Sequence, residues 1–101
     1  MATSAEWHED YENMSDGSRD FSRAIKSVQE ELEAVDWYNQ RAEATSDLQL
    51  RKILEHNRDE EIEHAVMALE WLRRNNPKFN EHMKTYLFTE GDIIEIEEKA
   101  G

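Results

Sequence analysis

Two long stretches of the chain carry apolar residues at helical spacing, and a few polar residues separate them. The first stripe consists of Phe21, Ile25, Val28, Leu32 and Val35, and the second of Leu50, Ile53, Leu54, Ala65, Ala68, Leu69 and Leu72. Steps of three and four residues place each set on one side of an α-helix. Each helix spans roughly 27 residues, about 40 Å at 1.5 Å per residue. The short connection predicts that the two helices lie antiparallel, and their stripes are too wide for one helix pair to bury, so a partner is implied.

Capping and turn residues predict where these two helices begin and end. The Asp16-Gly17 turn signal precedes Ser18, which we expect to be the N-cap of the first helix. That helix is predicted to run to about Ala44. Ser46 with Gln49 has the form of a capping box, so the second helix is expected to start there.

Two shorter helices are predicted after the hairpin. Asn76 can cap a third helix with Pro77 as its first residue, because proline fits the first turn, and this helix should extend over about residues 77–88. Asp92 is expected to cap a tail helix over residues 93–99. The chain thus divides into a flexible N-terminal arm (1–17), a helical hairpin (18–76) and short C-terminal helices (77–101).

Composition narrows the classes of partner and of metal ligand. The chain has 101 residues, with 24 acidic against 12 basic and a net charge of −12, a balance that repels nucleic acid and anionic membranes and attracts cations. The plainer explanation of this acidity is solubility. Because cysteine is absent, only carboxylates and imidazoles can hold a metal, which suits iron, manganese, zinc, calcium or magnesium. No apolar run approaches the ~18 residues that span a bilayer. The N-terminus lacks the pattern of a signal peptide, so a cytoplasmic protein is expected.

Three polar side chains interrupt the apolar stripes. Glu31 lies on the buried side of the first helix, Glu61 at the centre of the second stripe, and His64 one turn further on. Glu31 and Glu61 are each roughly 22 Å from the turn, so an antiparallel hairpin brings them level. A glutamate from one helix with Glu-x-x-His from its neighbour is the ligand set of half a ferritin-like di-iron bundle.

The chain carries this ligand set once, because no other histidine follows a glutamate by three residues. We therefore predict that a second copy supplies the other half, with the irons at a two-fold axis. Glu61 is expected to bridge the two metals, while Glu31 and His64 each bind one. The predicted fold class is all-α: two long antiparallel helices plus a short C-terminal helical segment, dimerising into a ferritin-like four-helix bundle.

Plainer interpretations of the same residues remain open from the sequence. Glu31 and Glu61 can pair with Arg58 or extend to solvent, and His64 can be an ordinary interface histidine. The chain would then be a structural hairpin that docks a partner. In another interpretation it is an acidic scaffold that binds calcium or zinc without redox chemistry. Oxygen consumption on adding Fe(II) separates an oxidase from that scaffold.

A second acidic cluster lies opposite the Val28 stripe of the first helix. It consists of Glu30 and Glu33 beside Trp37, with Arg41 nearby. Charged residues at such positions usually form a solvated face, but a tryptophan on a polar helix face suggests a second interface. The carboxylates can also attract Fe(II) from outside.

Four segments resemble the encapsulated ferritins, over about residues 25–94. They are residues 30–38 (EELEAVDWY), 56–65 (HNRDEEIEHA), 69–75 (LEWLRRN) and 85–91 (TYLFTEG). The resemblance implies two-helix protomers that dimerise to form a ferroxidase centre and assemble into an annular decamer inside an encapsulin nanocompartment. Storage would then belong to the shell. Family members usually continue into a C-terminal extension with an encapsulin-docking peptide, whereas the printed sequence stops at Gly101.

The resemblance also implies roles for individual residues. By position, Glu31, Glu61 and His64 are the iron ligands and Tyr38 lies near the catalytic centre. The implied activity is oxidation of Fe(II) to Fe(III) by O2, with two irons per dimer.

For the outer acidic cluster, the resemblance implies a metal-attraction site. Glu30, Glu33 and Trp37 match it by position. Calcium or other divalent ions are expected to bind there.

Overall fold

The computed structural model describes residues 7–101, which are helical and contain no strand. After a 3-10 turn at Tyr11–Asn13, the helices are α1 (Asp16–Ala44), α2 (Leu48–Asn75), α3 (Pro77–Tyr86) and α4 (Ile93–Ala100). Helices α1 and α2, of 29 and 28 residues, pack along their lengths as the predicted antiparallel hairpin, and α3 packs on α2. The molecule measures 48 × 45 × 19 Å. In this range, no helix is both long and apolar enough to cross a bilayer.

Helix α1 begins three residues before the predicted start, for which Ser18 was the expected N-cap. Its N-cap is Ser15, whose hydroxyl accepts a hydrogen bond from the Ser18 amide at 3.1 Å. Asp16 lies in the first turn, where its negative charge is favourable beside the unpaired amides. Gly17 is therefore helical rather than part of a turn. The end at Ala44 is as predicted.

The segment before α1 is packed against the helix. The Arg19 guanidinium stacks over the Tyr11 ring, 4.0 Å from its centre, and donates hydrogen bonds of 3.1 and 2.7 Å to the Tyr11 carbonyl oxygen. Arg23 donates to the Tyr11 hydroxyl at 2.9 Å, and Trp7 meets the same ring edge-on. Residues 7–17 of the predicted arm thus include side chains that pack on α1. The first six residues of the predicted arm lie outside the described range.

The turn between α1 and α2 is held by a cap and by an arginine. Asp47, rather than the predicted Ser46, caps α2, because its carboxylate accepts a hydrogen bond from the Leu50 amide at 2.8 Å. One turn into α2, Arg51 donates hydrogen bonds of 3.0 Å to two backbone carbonyl oxygens at the end of α1 and in the turn. These bonds fix the register of the hairpin.

Helix α3 starts as predicted and ends slightly early. The Asn76 side-chain oxygen accepts a hydrogen bond from the Phe79 amide at 2.9 Å, and Pro77 is the first helical residue. The helix ends at Tyr86, two residues before the predicted end. Phe88 has a φ of 59°, in the left-handed region, which no right-handed helix can include.

The tail helix α4 is one residue longer than predicted. The Asp92 carboxylate caps it by accepting hydrogen bonds from the Ile94 and Glu95 amides at 2.8 and 3.3 Å. Gly91 has a φ of 92°, which glycine adopts without a steric penalty. The turn at Gly91 and the cap at Asp92 confirm the predicted start of the tail helix.

The interior of the hairpin is thin. Ala42, Ala65 and Leu72 are the fully buried apolar residues of the described range, and the two alanines let the helices approach closely. By contrast, Leu32 of the predicted stripe is 52% exposed, and Ile53 is similarly exposed. A folded monomer of 12.0 kDa exposes about 6000 Å², whereas this chain exposes 8118 Å². This excess surface favours association with a partner.

A charged cluster joins the end of α2 to α3. The Glu70 carboxylate accepts two hydrogen bonds from Arg73 and one from Arg74, each of 2.7 Å. Arg73 also donates to the Asn80 side chain on α3 at 2.8 Å. The guanidinium hydrogen bonds hold the pKa of Glu70 at about 2, below its usual 4.5. The cluster therefore depends on an ionised Glu70.

We expect Glu70→Gln to lower the melting temperature of the metal-free protein at neutral pH, because a neutral amide accepts weaker hydrogen bonds from arginine. The folded-state pKa is depressed, so the stabilisation is present above pH 4.5 and is lost as the pH falls toward about 2. Thermal unfolding followed by circular dichroism should show the gap between variant and unmodified protein narrowing over that window. Glu43→Gln, at an exposed position on α1, is the control. A gap that is constant with pH would contradict the assignment.

Candidate metal centre

Glu31, Glu61 and His64 meet at one level of the hairpin. Glu31 projects from the middle of α1, and the other two residues lie one turn apart on α2. The three side chains offer donor atoms that all lie within 4.8 Å of one another. Nδ1 of His64 is 3.7 Å from Oε2 of each glutamate. The predicted convergence is thus present in the structure.

The spacing between His64 and each glutamate suits donors that share one metal ion. Oxygen and nitrogen ligands bind transition metals at about 2.0–2.2 Å, so two donors of one ion are at most ~4.4 Å apart. The two distances of 3.7 Å from His64 lie within that limit. Carboxylate and imidazole donors accept iron, and they also accept manganese and zinc.

The cluster is open on one side. The side chains of Glu31 and Glu61 are 27% and 26% exposed, and that of His64 is 49% exposed. Met67 and Trp71 follow His64 by three and seven residues, so they share its side of α2, and both are exposed. The open side of the cluster therefore continues into apolar surface of the kind that a partner covers.

The alternative in which Arg58 neutralises the glutamates does not match the structure. Arg58 donates hydrogen bonds to the Asp59 carboxylate and to the Asn39 side chain, both of 3.0 Å. In the described part of the chain, the ion-pair partner of Glu31 and Glu61 is His64, which is charged only when protonated. Two converging carboxylates without a permanent positive charge favour a bound cation.

Tyr38 is outside this cluster in the single chain. It follows Glu31 by seven residues on α1, about 10 Å along the helix axis. It is partly buried, and the Arg41 guanidinium lies over its ring, 5.5 Å from the ring centre. Its predicted place near the catalytic centre stays a prediction.

The outer acidic cluster lies apart from the three converging side chains. Glu30, Glu33 and Trp37 are all exposed on α1. Glu30 lines a cavity of about 460 Å³ that Trp7 and His8 also line. Both Trp7 and His8 belong to the predicted flexible arm, and their place beside Glu30 was not predicted from the sequence. The only signal was an aromatic residue next to a histidine in a polar segment.

The remaining histidines are paired singly with glutamates on the surface. His56 lies 3.5 Å from Glu60, and His82 lies 3.9 Å from Glu81, all four side chains being largely exposed. Neither pair includes a third metal-binding side chain within the described residues. They do not form a second centre of the same kind.

Comparison with known proteins agrees with this architecture. The model of the EncFtn-like family matches residues 6–90. An encapsulated ferritin-like protein of Rhodospirillum rubrum is 60% identical over 90 residues, which are 89% of this chain and 64% of the relative. A ferritin-like protein of Thermotoga maritima is 56% identical over 95 residues, which are 94% of this chain and 83% of the relative. The chain thus spans slightly less than two thirds of the Rhodospirillum protein.

A more distant relative and a solved structure extend the comparison. The encapsulin nanocompartment cargo protein EncC of Myxococcus xanthus is 32% identical over 88 residues, covering 81% of this chain and 68% of the relative. A crystal structure of a protein from Nitrosomonas europaea matches with a TM-score of 0.83 and 55% identity, over 86% of this chain and 96% of that one. The hairpin and its cluster therefore occur in a chain that belongs to the EncFtn-like family of encapsulated ferritin-like proteins.

Proposed function

We propose that the protein is a ferroxidase that oxidises Fe(II) with O2 at a di-iron centre built between two copies. The observation that carries this proposal is the convergence of Glu31, Glu61 and His64 within 4.8 Å on a half-open face. Membership of the EncFtn-like family supports an iron-related function. Iron is the substrate here, bound as Fe(II) and released as Fe(III).

One chain supplies three donor side chains and leaves one side of the cluster exposed. A second copy is therefore needed to complete a di-iron centre. A two-fold axis at that side would bring two such sets together and enclose both. Glu61 has two carboxylate oxygens and can bridge two ions, while Glu31 and His64 would each bind one. The excess surface of the single chain supports this pairing, since a bundle interior would cover it.

The ligand types suit the oxidation of iron. Carboxylate oxygens are hard donors that stabilise Fe(III) more than Fe(II), so they favour the loss of one electron from each ion. O2 would take the two electrons at coordination positions that the protein leaves open. Covering the open side of the hairpin would exclude water from the pair of ions. Tyr38 keeps its proposed place beside the assembled centre.

The assembly that we propose is the one that the resemblance to encapsulated ferritins implies, and the names of the relatives support the location. Dimers of the protein would assemble into an annular decamer, bound by an encapsulin shell protein inside a cytoplasmic nanocompartment. The printed names of the Rhodospirillum and Myxococcus relatives support the encapsulin partner. Mineralisation and storage of the Fe(III) would occur within that shell.

We expect Glu61→Ala to slow oxygen consumption after Fe(II) addition by at least about 100-fold, because even side chains that only hydrogen-bond to a metal ligand contribute about 10–100-fold. Glu63→Ala is the matched control, since it removes an exposed glutamate of the same helix that is outside the cluster. Equal rates in the two variants would contradict the proposal. If the unmodified protein binds Fe(II) but consumes no oxygen, the alternative function as a non-redox divalent-metal scaffold is correct.

We further propose that the outer acidic cluster, Glu30 and Glu33 beside Trp37, gathers iron or holds it in transit. The two carboxylates are one turn apart and exposed, so they add to a local negative potential that attracts cations. Calcium or another divalent ion would occupy the same position when iron is absent.

Changing both Glu30 and Glu33 to Ala should alter the rate of iron oxidation by at least about twofold at low ionic strength. The effect should disappear near 1 M salt, where the Debye length is about 3 Å. Iron occupancy at the three ligands should not change. Glu95→Ala with Glu98→Ala is the matched control, because it removes two exposed charges at the same spacing on α4. Unchanged kinetics at low salt would reduce the cluster to a solvated face.

A further inference from the structure

Arg58 lies one turn before Glu61 on the same side of α2. Residues three apart on a helix are neighbours, with about 5–6 Å between their β-carbons, so the guanidinium can reach the Glu61 carboxylate. Lys78 and Glu81 have the same order and spacing on α3 and form an ion pair of 2.9 Å. Arg58 and Glu61 form no such pair, although both belong to the described part of the chain. Other contacts must therefore hold the guanidinium away from Glu61.

One of these contacts turns the guanidinium to the other side of the helix. Nε of Arg58 donates a hydrogen bond of 3.0 Å to the carboxylate of Asp59. Asp59 and Glu61 are two residues apart, so their side chains point about 160° apart around α2. A guanidinium that is bound to Asp59 is therefore turned away from the Glu61 carboxylate.

The second contact draws the same guanidinium toward the turn of the hairpin. Nη1 of Arg58 donates a hydrogen bond of 3.0 Å to the side-chain oxygen of Asn39 on α1. Side chains lean toward the N-terminus of their own helix, so in this antiparallel pair Arg58 leans toward the turn and Asn39 leans away from it. Asn39 is eight residues nearer the turn than Glu31, about 12 Å along α1. The Arg58 charge is thus held on the turn side of the metal cluster.

We propose that Asn39 and Asp59 are positioning residues that keep the Arg58 cation out of the metal centre. Without these two acceptors, the guanidinium would move to Glu61 and give its carboxylate a permanent positive partner. A metal ion would then have to displace that partner and would be repelled by its charge. The Arg58 side chain is 26% exposed, so solvent screens this repulsion incompletely. The inference rests on the proposed function, because it concerns the affinity of the same centre for metal.

A purely structural role for the same contacts makes a different prediction. The Arg58–Asn39 hydrogen bond joins α1 to α2, so it also contributes to the register of the hairpin. If it acted only in that way, Arg58→Met should weaken metal binding, because the bond between the helices is lost. In our proposal Arg58→Met should bind metal at least as tightly as the unmodified chain, because it removes the competing cation and keeps the apolar stem of the side chain.

The test is calorimetric titration of Fe(II), without oxygen, into the double variant Asn39→Ala/Asp59→Ala. We expect the Fe(II) dissociation constant of the cluster to rise at least about tenfold, because the freed guanidinium competes with the ion. Adding Arg58→Met to the double variant should restore the constant to within about threefold of the unmodified value. Gln40→Ala/Glu63→Ala is the matched control, because it also removes one exposed amide from α1 and one exposed carboxylate from α2 but leaves the contacts of Arg58 in place.

Equal Fe(II) affinity of the double variant and the matched control would overturn this inference and leave the ferroxidase proposal intact. A triple variant that binds Fe(II) as weakly as the double variant would do the same, because the loss would then come from a loosened hairpin. Weaker binding by Arg58→Met alone would also overturn it. Glu61→Ala, titrated in parallel, identifies the heat that belongs to the cluster. If Glu61→Ala binds Fe(II) as the unmodified chain does, the metal centre itself is contradicted, and this inference fails with it.

Discussion

The convergence of Glu31 and Glu61 is the constraint on which the rest of the structure depends. Two carboxylates that face each other at mid-height of a hairpin repel unless something positive lies between them. Arg58 is engaged elsewhere, with Asp59 and Asn39, and His64 is charged only when protonated. In the proposed function, a cation bound between the helices resolves this repulsion. The short turn places both glutamates at the same height, and a shift of one turn would displace them by about 5.4 Å.

The thin interior of the hairpin favours stabilisation by assembly. With Ala42, Ala65 and Leu72 as its buried apolar residues, one chain removes little apolar surface from water. Association and metal binding then contribute to the stability of the fold by mass action. In the proposed assembly, the open side of the metal cluster and the apolar surface around it are covered together. In that proposal, the half ligand set and the thin core both require a second copy.

Much of this architecture could be predicted from the sequence, because its determinants are local. Helical periodicity gave the two long helices, and equal distances from the turn placed Glu31 and Glu61 at the same level. The caps at Asn76 and Asp92 could be identified because Pro77 marks the first helical position after Asn76, and because Asp92 follows the Gly91 turn and has Glu95 three residues later. The resemblance to encapsulated ferritins is confirmed by the family match.

Other features could not be read from the sequence because neighbouring residues competed or because the contacts are distant. Ser15 and Ser18, and likewise Ser46 and Asp47, are alternative caps that only the backbone geometry separates. The packing of Tyr11 on Arg19 joins residues eight positions apart across a turn, which periodicity does not detect.

The central claim is that two chains complete one di-iron centre, and iron-edge anomalous scattering from crystals loaded with Fe(II) tests it most directly. The account predicts two anomalous peaks about 3.5–4 Å apart at a two-fold axis. Glu31, Glu61 and His64 of both copies should surround them. Iron held by the residues of one chain alone, or iron bound elsewhere with these three side chains empty, would contradict it.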